Sequence, residues 1–104
     1  MTSPPDSSIV AMMDAYAKAV HAKDVDGFAA LFDPGVRVFD MWAEWSYDGL
    51  DGWRRMAADW FASLGDERVE VEFDEVRTHV SGDLAVAHAF VTYRGLSAAG
   101  EELR

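Results

Sequence analysis

Residues 9–40 read IVAMMDAYAKAVHAKDVDGFAALFDPGVRVFD, and the order of elements in this stretch decides the fold. Ile9, Met12, Met13, Tyr16 and Val20 recur at helical spacing, which predicts an amphipathic helix over roughly residues 8–22, with Ser7 or Ser8 as its N-cap and Tyr16 on its apolar stripe. Asp24 can cap a second, shorter helix whose buried face is Val25, Phe28, Ala29 and Phe32, and Asp33-Pro34-Gly35 stops it. Val36 to Met41 then reads as a strand, whose period of two puts Val36, Val38 and Asp40 on one face. Two helices therefore precede the first strand, and an acid shares a strand face with two valines.

Downstream, Trp42, Trp45 and Tyr47 make an aromatic connection, and Tyr47-Asp48-Gly49 is read as a turn into a third helix. Trp53, Met56, Ala57, Trp60, Phe61 and Leu64 follow helical spacing, and Gly65 closes that helix. Val69, Val71 and Phe73 alternate with Glu70, Glu72 and Asp74, a strand with one buried and one solvated face, and Val76 breaks the alternation as a bulge would. Ser81-Gly82-Asp83 turns into a long strand, Leu84 to Leu96. Its two faces are Ala85, Ala87, Ala89, Val91 and Tyr93 on one side and Val86, His88, Phe90 and Thr92 on the other, and both are expected to be largely covered, one of them by a second copy in a homodimer through the sheet. The order helix, helix, strand, helix, strand, strand is that of an α+β domain, three helices packed on one face of a mostly antiparallel sheet. Glu101 to Arg104 start a further strand, and the last strands of the sheet are expected to be missing from the chain.

Composition narrows the function classes. The chain has 104 residues, half of them apolar, so it folds as one domain (9–104) behind a polar, Pro-containing lead-in (1–8). With 9 Lys+Arg against 19 Asp+Glu, its net charge of −10 argues against nucleic acid and anionic membranes, because a polyanion is bound by clustered bases. There is no cysteine, so disulfides and thiolate metal sites are excluded. His21, His79 and His88 lack metal-ligand spacing, and no phosphate loop, nucleotide fingerprint or nucleophile triad is visible, so no metal or cofactor is implied. Without a signal peptide or membrane-length apolar run, a cytoplasmic location is the simplest expectation.

The runs Met13-Asp14-Ala15-Tyr16, His21 to Phe32 and Val36 to Asp40, with Tyr47-Asp48-Gly49 before a helix and Gly82-Asp83-Leu84-Ala85 before a long strand, resemble ketosteroid-isomerase-like (SnoaL-like) members of the NTF2-like superfamily. The resemblance spans nearly the whole chain. It implies a cone, in which a curved sheet wraps around the long helix and leaves an apolar cavity open at one end for small hydrophobic ligands. In the isomerases, a tyrosine of the first helix and an aspartate ending the first strand point into this cavity, and here these positions are Tyr16 and Asp40. The implied activity is a cofactor-free isomerase or a related lyase or cyclase acting on a hydrophobic, carbonyl-bearing ligand. The scaffold also hosts non-catalytic ligand-binding modules and homodimeric association domains, which remain alternatives.

On that reading Asp40, poorly solvated beside Val36 and Val38, takes a proton from carbon, and Tyr16 donates its phenolic hydrogen to the developing oxyanion. Val38, Trp42, Trp45, Met56, Trp60, Ala87 and Ala89 would shape an apolar slot, with His88 as a further pocket candidate. The isomerases add a protonated acid from a later strand as a second oxyanion donor, and none is found on Leu84 to Leu96. Each residue also has a structural reading: Tyr16 as a core tyrosine, Asp40 as an acceptor of backbone N–H groups, His88 as a core or interface histidine, and the Trp/Met stripe as plain core.

Overall fold

Helix α1 runs Pro5–Ala22 in the computed structural model, which describes residues 5–40 and 44–103. It begins ahead of the serines expected to cap it. A proline at the first helical position explains the early start, since its fixed φ suits the first turn and its missing N–H has no partner there in any case. The C-terminal end is anchored by Lys23, which turns left-handed at φ 56 and donates from its ammonium to the carbonyls of Gly65 (2.6 Å) and Glu67 (3.1 Å). Helix α2, Val25–Ala29, is capped by Asp24, whose Oδ1 accepts from the Gly27 amide at 3.0 Å.

Strands β1 (Arg37–Phe39) and β2 (Ser46–Asp48) pair antiparallel, with Val38 opposite Tyr47. Tyr47 is therefore extended and paired, which corrects its reading as part of a turn. Its ring is drawn into the core edge-on to Trp53, 5.1 Å between centroids, so the chain stays extended until Gly49, where a φ of 94 supplies the bend. Helix α3 (Leu50–Ser63) follows at once and buries Trp53, Ala57 and Phe61.

Strands β3 (Arg68–Ser81) and β4 (Leu84–Leu96) form a long antiparallel ribbon that pairs Val71 with Tyr93 and Phe73 with Val91. The register slips between Asp74 and Arg77, where Glu75 has φ 52, so the bulge expected at Val76 is present. Beyond β4, the Leu103 amide donates to the Gly95 carbonyl and Leu96 bridges Glu102 antiparallel. Leu96 also pairs with Arg68, so residues 101–103 lie along the edge of β4 away from β3.

The core is where α1, α2, α3 and the near half of β3 meet. Val20 and Phe28 are fully buried, and the Phe28 ring lies 5.2–5.9 Å from those of Tyr16, Phe32, Trp53 and Phe61. Val69 and Val71 of β3 close this cluster. On the far half of the ribbon the outward face of β4 is open within the single chain: Leu84, Val86 and Phe90 are 65%, 55% and 69% exposed. Among the described residues, the main helix packing on the ribbon is that of α1 against β3. No helix among the described residues is long and apolar enough to cross a membrane.

Candidate functional site

A cavity of about 900 Å³ opens between α1, α3, the β1–β2 pair and the C-terminal half of β4. Its size is in the range that takes a drug-sized ligand. Aromatic wall comes from Tyr16, Tyr47, Trp53, Trp60 and Tyr93, aliphatic surface from Met56, Leu64 and Val69, and charge from Asp40, Glu44, Arg55 and Asp59.

The local rules that form each element also aim these groups. Tyr16 falls on the inward stripe of α1, where its ring is held between Phe28 (5.5 Å) and Phe73 (5.9 Å, edge-on), leaving its hydroxyl directed away from the core. Asp40 follows β1 on the face of Val36 and Val38, and its amide donates to the Trp45 carbonyl at 3.0 Å, which fixes the chain where it leaves the strand. Asp40 is half-buried and lines the cavity. Trp60 and Met56 are carried by the inward stripe of α3.

Tyr93 stands opposite. The period of β4 turns it inward, Trp60 packs edge-on against it at 6.2 Å, and its hydroxyl oxygen lies 3.1 Å from that of Tyr16. Burial pushes the Tyr16 phenol well above the ordinary tyrosine range, and the neighbouring Tyr93 hydroxyl and the Asp40 charge push in the same direction. Tyr16 is thus a neutral hydrogen-bond donor across the whole physiological range. The cavity joins a phenol pair, one carboxylate at the end of a strand and apolar walls, a set of groups able to polarise a ligand oxygen and exchange a proton.

The sequence profile of the SnoaL-like domain matches residues 9–104. The chain belongs to the SnoaL-like domain family. Three solved structures show the same fold for this SnoaL-like chain: Aln2 from a Streptomyces species (18% identity, TM-score 0.80, covering 99% of this chain and 75% of that one); a variant of Rv3472, a protein of unknown function from Mycobacterium tuberculosis (23%, 0.71, 91% and 57%); and an NTF2-like family protein from Streptomyces avermitilis (21%, 0.67, 96% and 79%). A domain from Nostoc punctiforme with a cystatin-like fold is similar at TM-score 0.73. No curated protein sequence matches the chain significantly.

Within this SnoaL-like domain, the residues singled out from sequence divide into two groups. Tyr16, Asp40, Met56 and Trp60 line the cavity together. Val38 packs against the core behind it, and Ala87 and Ala89 lie half-buried further along the ribbon, because the cavity meets β4 at Tyr93 and Gly95. Trp45 is 76% exposed and rests on Phe39; Tyr47 takes the inward position beside Trp53 and leaves Trp45 outside. His88 is turned away from the cavity as well, since it alternates with inward Ala87 and Ala89, and it stacks on His79 at 6.1 Å. Trp42 lies outside the described residues.

Sequence reasoning missed Tyr47, Trp53, Arg55, Asp59 and above all Tyr93. Leu84 to Leu96 carries no acid, and the group of this strand that meets Tyr16 is the Tyr93 hydroxyl. A signal was present, since Tyr93 alone carries a polar atom on the otherwise apolar inward face of β4, but its distance from Tyr16 depends on how α1 docks on β3.

Proposed function

We propose that this domain binds a hydrophobic, carbonyl-bearing small molecule and catalyses proton transfer on it without a cofactor, with Asp40 as base and Tyr16 as donor to the oxyanion. The observation that carries this reading is the presence of Tyr16 and Asp40 in the wall of one mostly apolar cavity. For a β,γ-unsaturated ketone, the Asp40 carboxylate takes a proton from the carbon between the carbonyl and the double bond. The electron pair moves into a dienolate whose charge sits on oxygen, and the carboxylic acid then returns the proton to the γ carbon, giving the conjugated ketone and regenerating the carboxylate.

Negative charge leaves Asp40 as it appears on the ligand oxygen, so the total charge of the cavity is constant. What changes is where the charge lies, and a preorganised phenol at the oxygen favours that shift most in a dry site. Asp40, Glu44 and Asp59 outnumber Arg55 at the wall, which favours uncharged substrates over anionic ones. The test is conjugation of a β,γ-unsaturated ketone followed by absorbance, comparing wild type with Asp40→Asn. Loss of at least about a hundredfold in rate is expected for a general base. Equal rates would remove Asp40 from that role, and a bound but unturned ketone in both proteins would favour the non-catalytic binding module.

The same reading takes the domain as a homodimer through the outward face of the β3–β4 ribbon. It is supported by the exposed row Leu84, Val86 and Phe90 on that face. Sedimentation of wild type against Val86→Asp checks it, with dimer expected for the first and monomer for the second.

A further inference from the structure

We infer that Tyr93 is a second oxygen-binding donor, and that Tyr16 and Tyr93 together form a two-phenol clamp for a single oxyanion on a planar ligand. This rests on the proposed proton-transfer reading and extends it to a residue and a ligand class. The ground is the 3.1 Å separation of the two hydroxyl oxygens within one cavity wall. An oxygen atom placed about 2.7 Å from both hydroxyls subtends an angle of about 70° between them, within reach of two O–H groups that rotate freely about their C–O bonds.

The resting pair is self-satisfied. One hydroxyl donates to the other, and only one O–H remains for a ligand. A neutral carbonyl therefore gains one ordinary hydrogen bond. An oxyanion draws both O–H groups to itself, exchanging one neutral bond for two charge-assisted ones, each about twice as strong. The clamp thus binds the charged form of the ligand oxygen better than the neutral form, which is the property that accelerates formation of an enolate.

The two rings are held independently, Tyr16 by Phe28 and Phe73 and Tyr93 by Trp60, so removing one hydroxyl leaves the other in place. Trp60, Trp53 and Met56 supply flat apolar wall near the clamp. The chemical class that fits is a fused-ring or conjugated molecule with an enolisable ketone or a phenolic oxygen at one end.

The experiment uses 2-naphthol, with naphthalene as the same ring lacking the oxygen, titrated by fluorescence against wild type, Tyr93→Phe, Tyr16→Phe and the double variant. Tyr93→Phe keeps the ring and its contact with Trp60. It is expected to weaken 2-naphthol binding about tenfold, to lower the fraction bound as naphtholate, and to change naphthalene binding less than about twofold. The double variant should lose less than the two single losses multiplied, because both hydroxyls serve one oxygen. Unchanged 2-naphthol binding in Tyr93→Phe, an equal loss for naphthalene, or a wild type that does not prefer 2-naphthol to naphthalene would each overturn the clamp. Asp40→Asn separates this from the catalytic reading: if it retains isomerisation while Tyr93→Phe still loses 2-naphthol, the base assignment fails and the clamp stands.

Discussion

The hydroxyls of Tyr16 and Tyr93 meet at 3.1 Å although 77 positions separate them in the chain. The contact is made in the cavity wall, between the inward stripe of the first helix and the inward face of the last long strand. It places a neutral phenol, held protonated by burial, in the same cavity as the carboxylate of Asp40.

Alkaline stability should report that burial. The folded Tyr16 phenol keeps its proton above pH 10, the ordinary value at which it ionises in the unfolded chain. Above that pH the unfolded state binds fewer protons than the folded one, so stability falls as pH rises, by at most about 1.4 kcal/mol per pH unit from this group. Urea unfolding followed between about pH 9 and pH 11 should show a shallower decline for Tyr16→Phe than for wild type. Identical slopes would mean that the phenol ionises as freely in the native protein as in water.

Phe28 is the hub of the aromatic cluster and is fully buried. Phe28→Ala should cost about 3–5 kcal/mol, by lost transfer energy and by the hole left between α1, α2 and α3. Denaturant midpoints give the value; a loss below about 1 kcal/mol would mean that the cluster is loosely packed.

The cap of α2 offers a sharper local test. Asp24→Ala should cost about 1 kcal/mol through the lost bond to the Gly27 amide. A Cβ at position 27 would lie 2.5 Å from Asp24 Oδ2, so Gly27→Ala must displace the same carboxylate. The two substitutions should therefore be non-additive, the double variant costing about as much as the larger single one. Full additivity in thermal unfolding would separate the two effects.

Arg94 donates to Glu72 at 2.6 Å and approaches Glu70 at 3.5 Å on the solvated face of the ribbon. The Glu72 hydrogen bond and charge raise the guanidinium above its ordinary range. Exposure and screening limit what this is worth. Glu72→Gln should move the denaturant midpoint only slightly, and the difference should vanish in about 1 M salt. A larger, salt-independent loss would assign Glu72 a packing role.

Local chemistry made much of this molecule legible from its residues. The stripe of α3, the Asp24 cap, the bulge near Val76 and the turn at Gly82 are written in spacings of a few residues, because helical and extended backbones impose periods of 3.6 and 2. Tyr47 shows the limit of that reading. A Tyr-Asp-Gly triplet has the chemistry of a turn, yet Trp53 draws the tyrosine into the core and the bend moves to Gly49.

The candidate site divides in the same way. That Tyr16 and Asp40 face inward follows from the periods of α1 and β1, and the family resemblance named both. That Trp45 and His88 face outward while Tyr93 comes within reach of Tyr16 is decided only when α1 docks on β3 and β4 takes its register beside it. Periodicity assigns a side chain to a face, whereas the distance between two faces is set by packing among residues far apart in the chain.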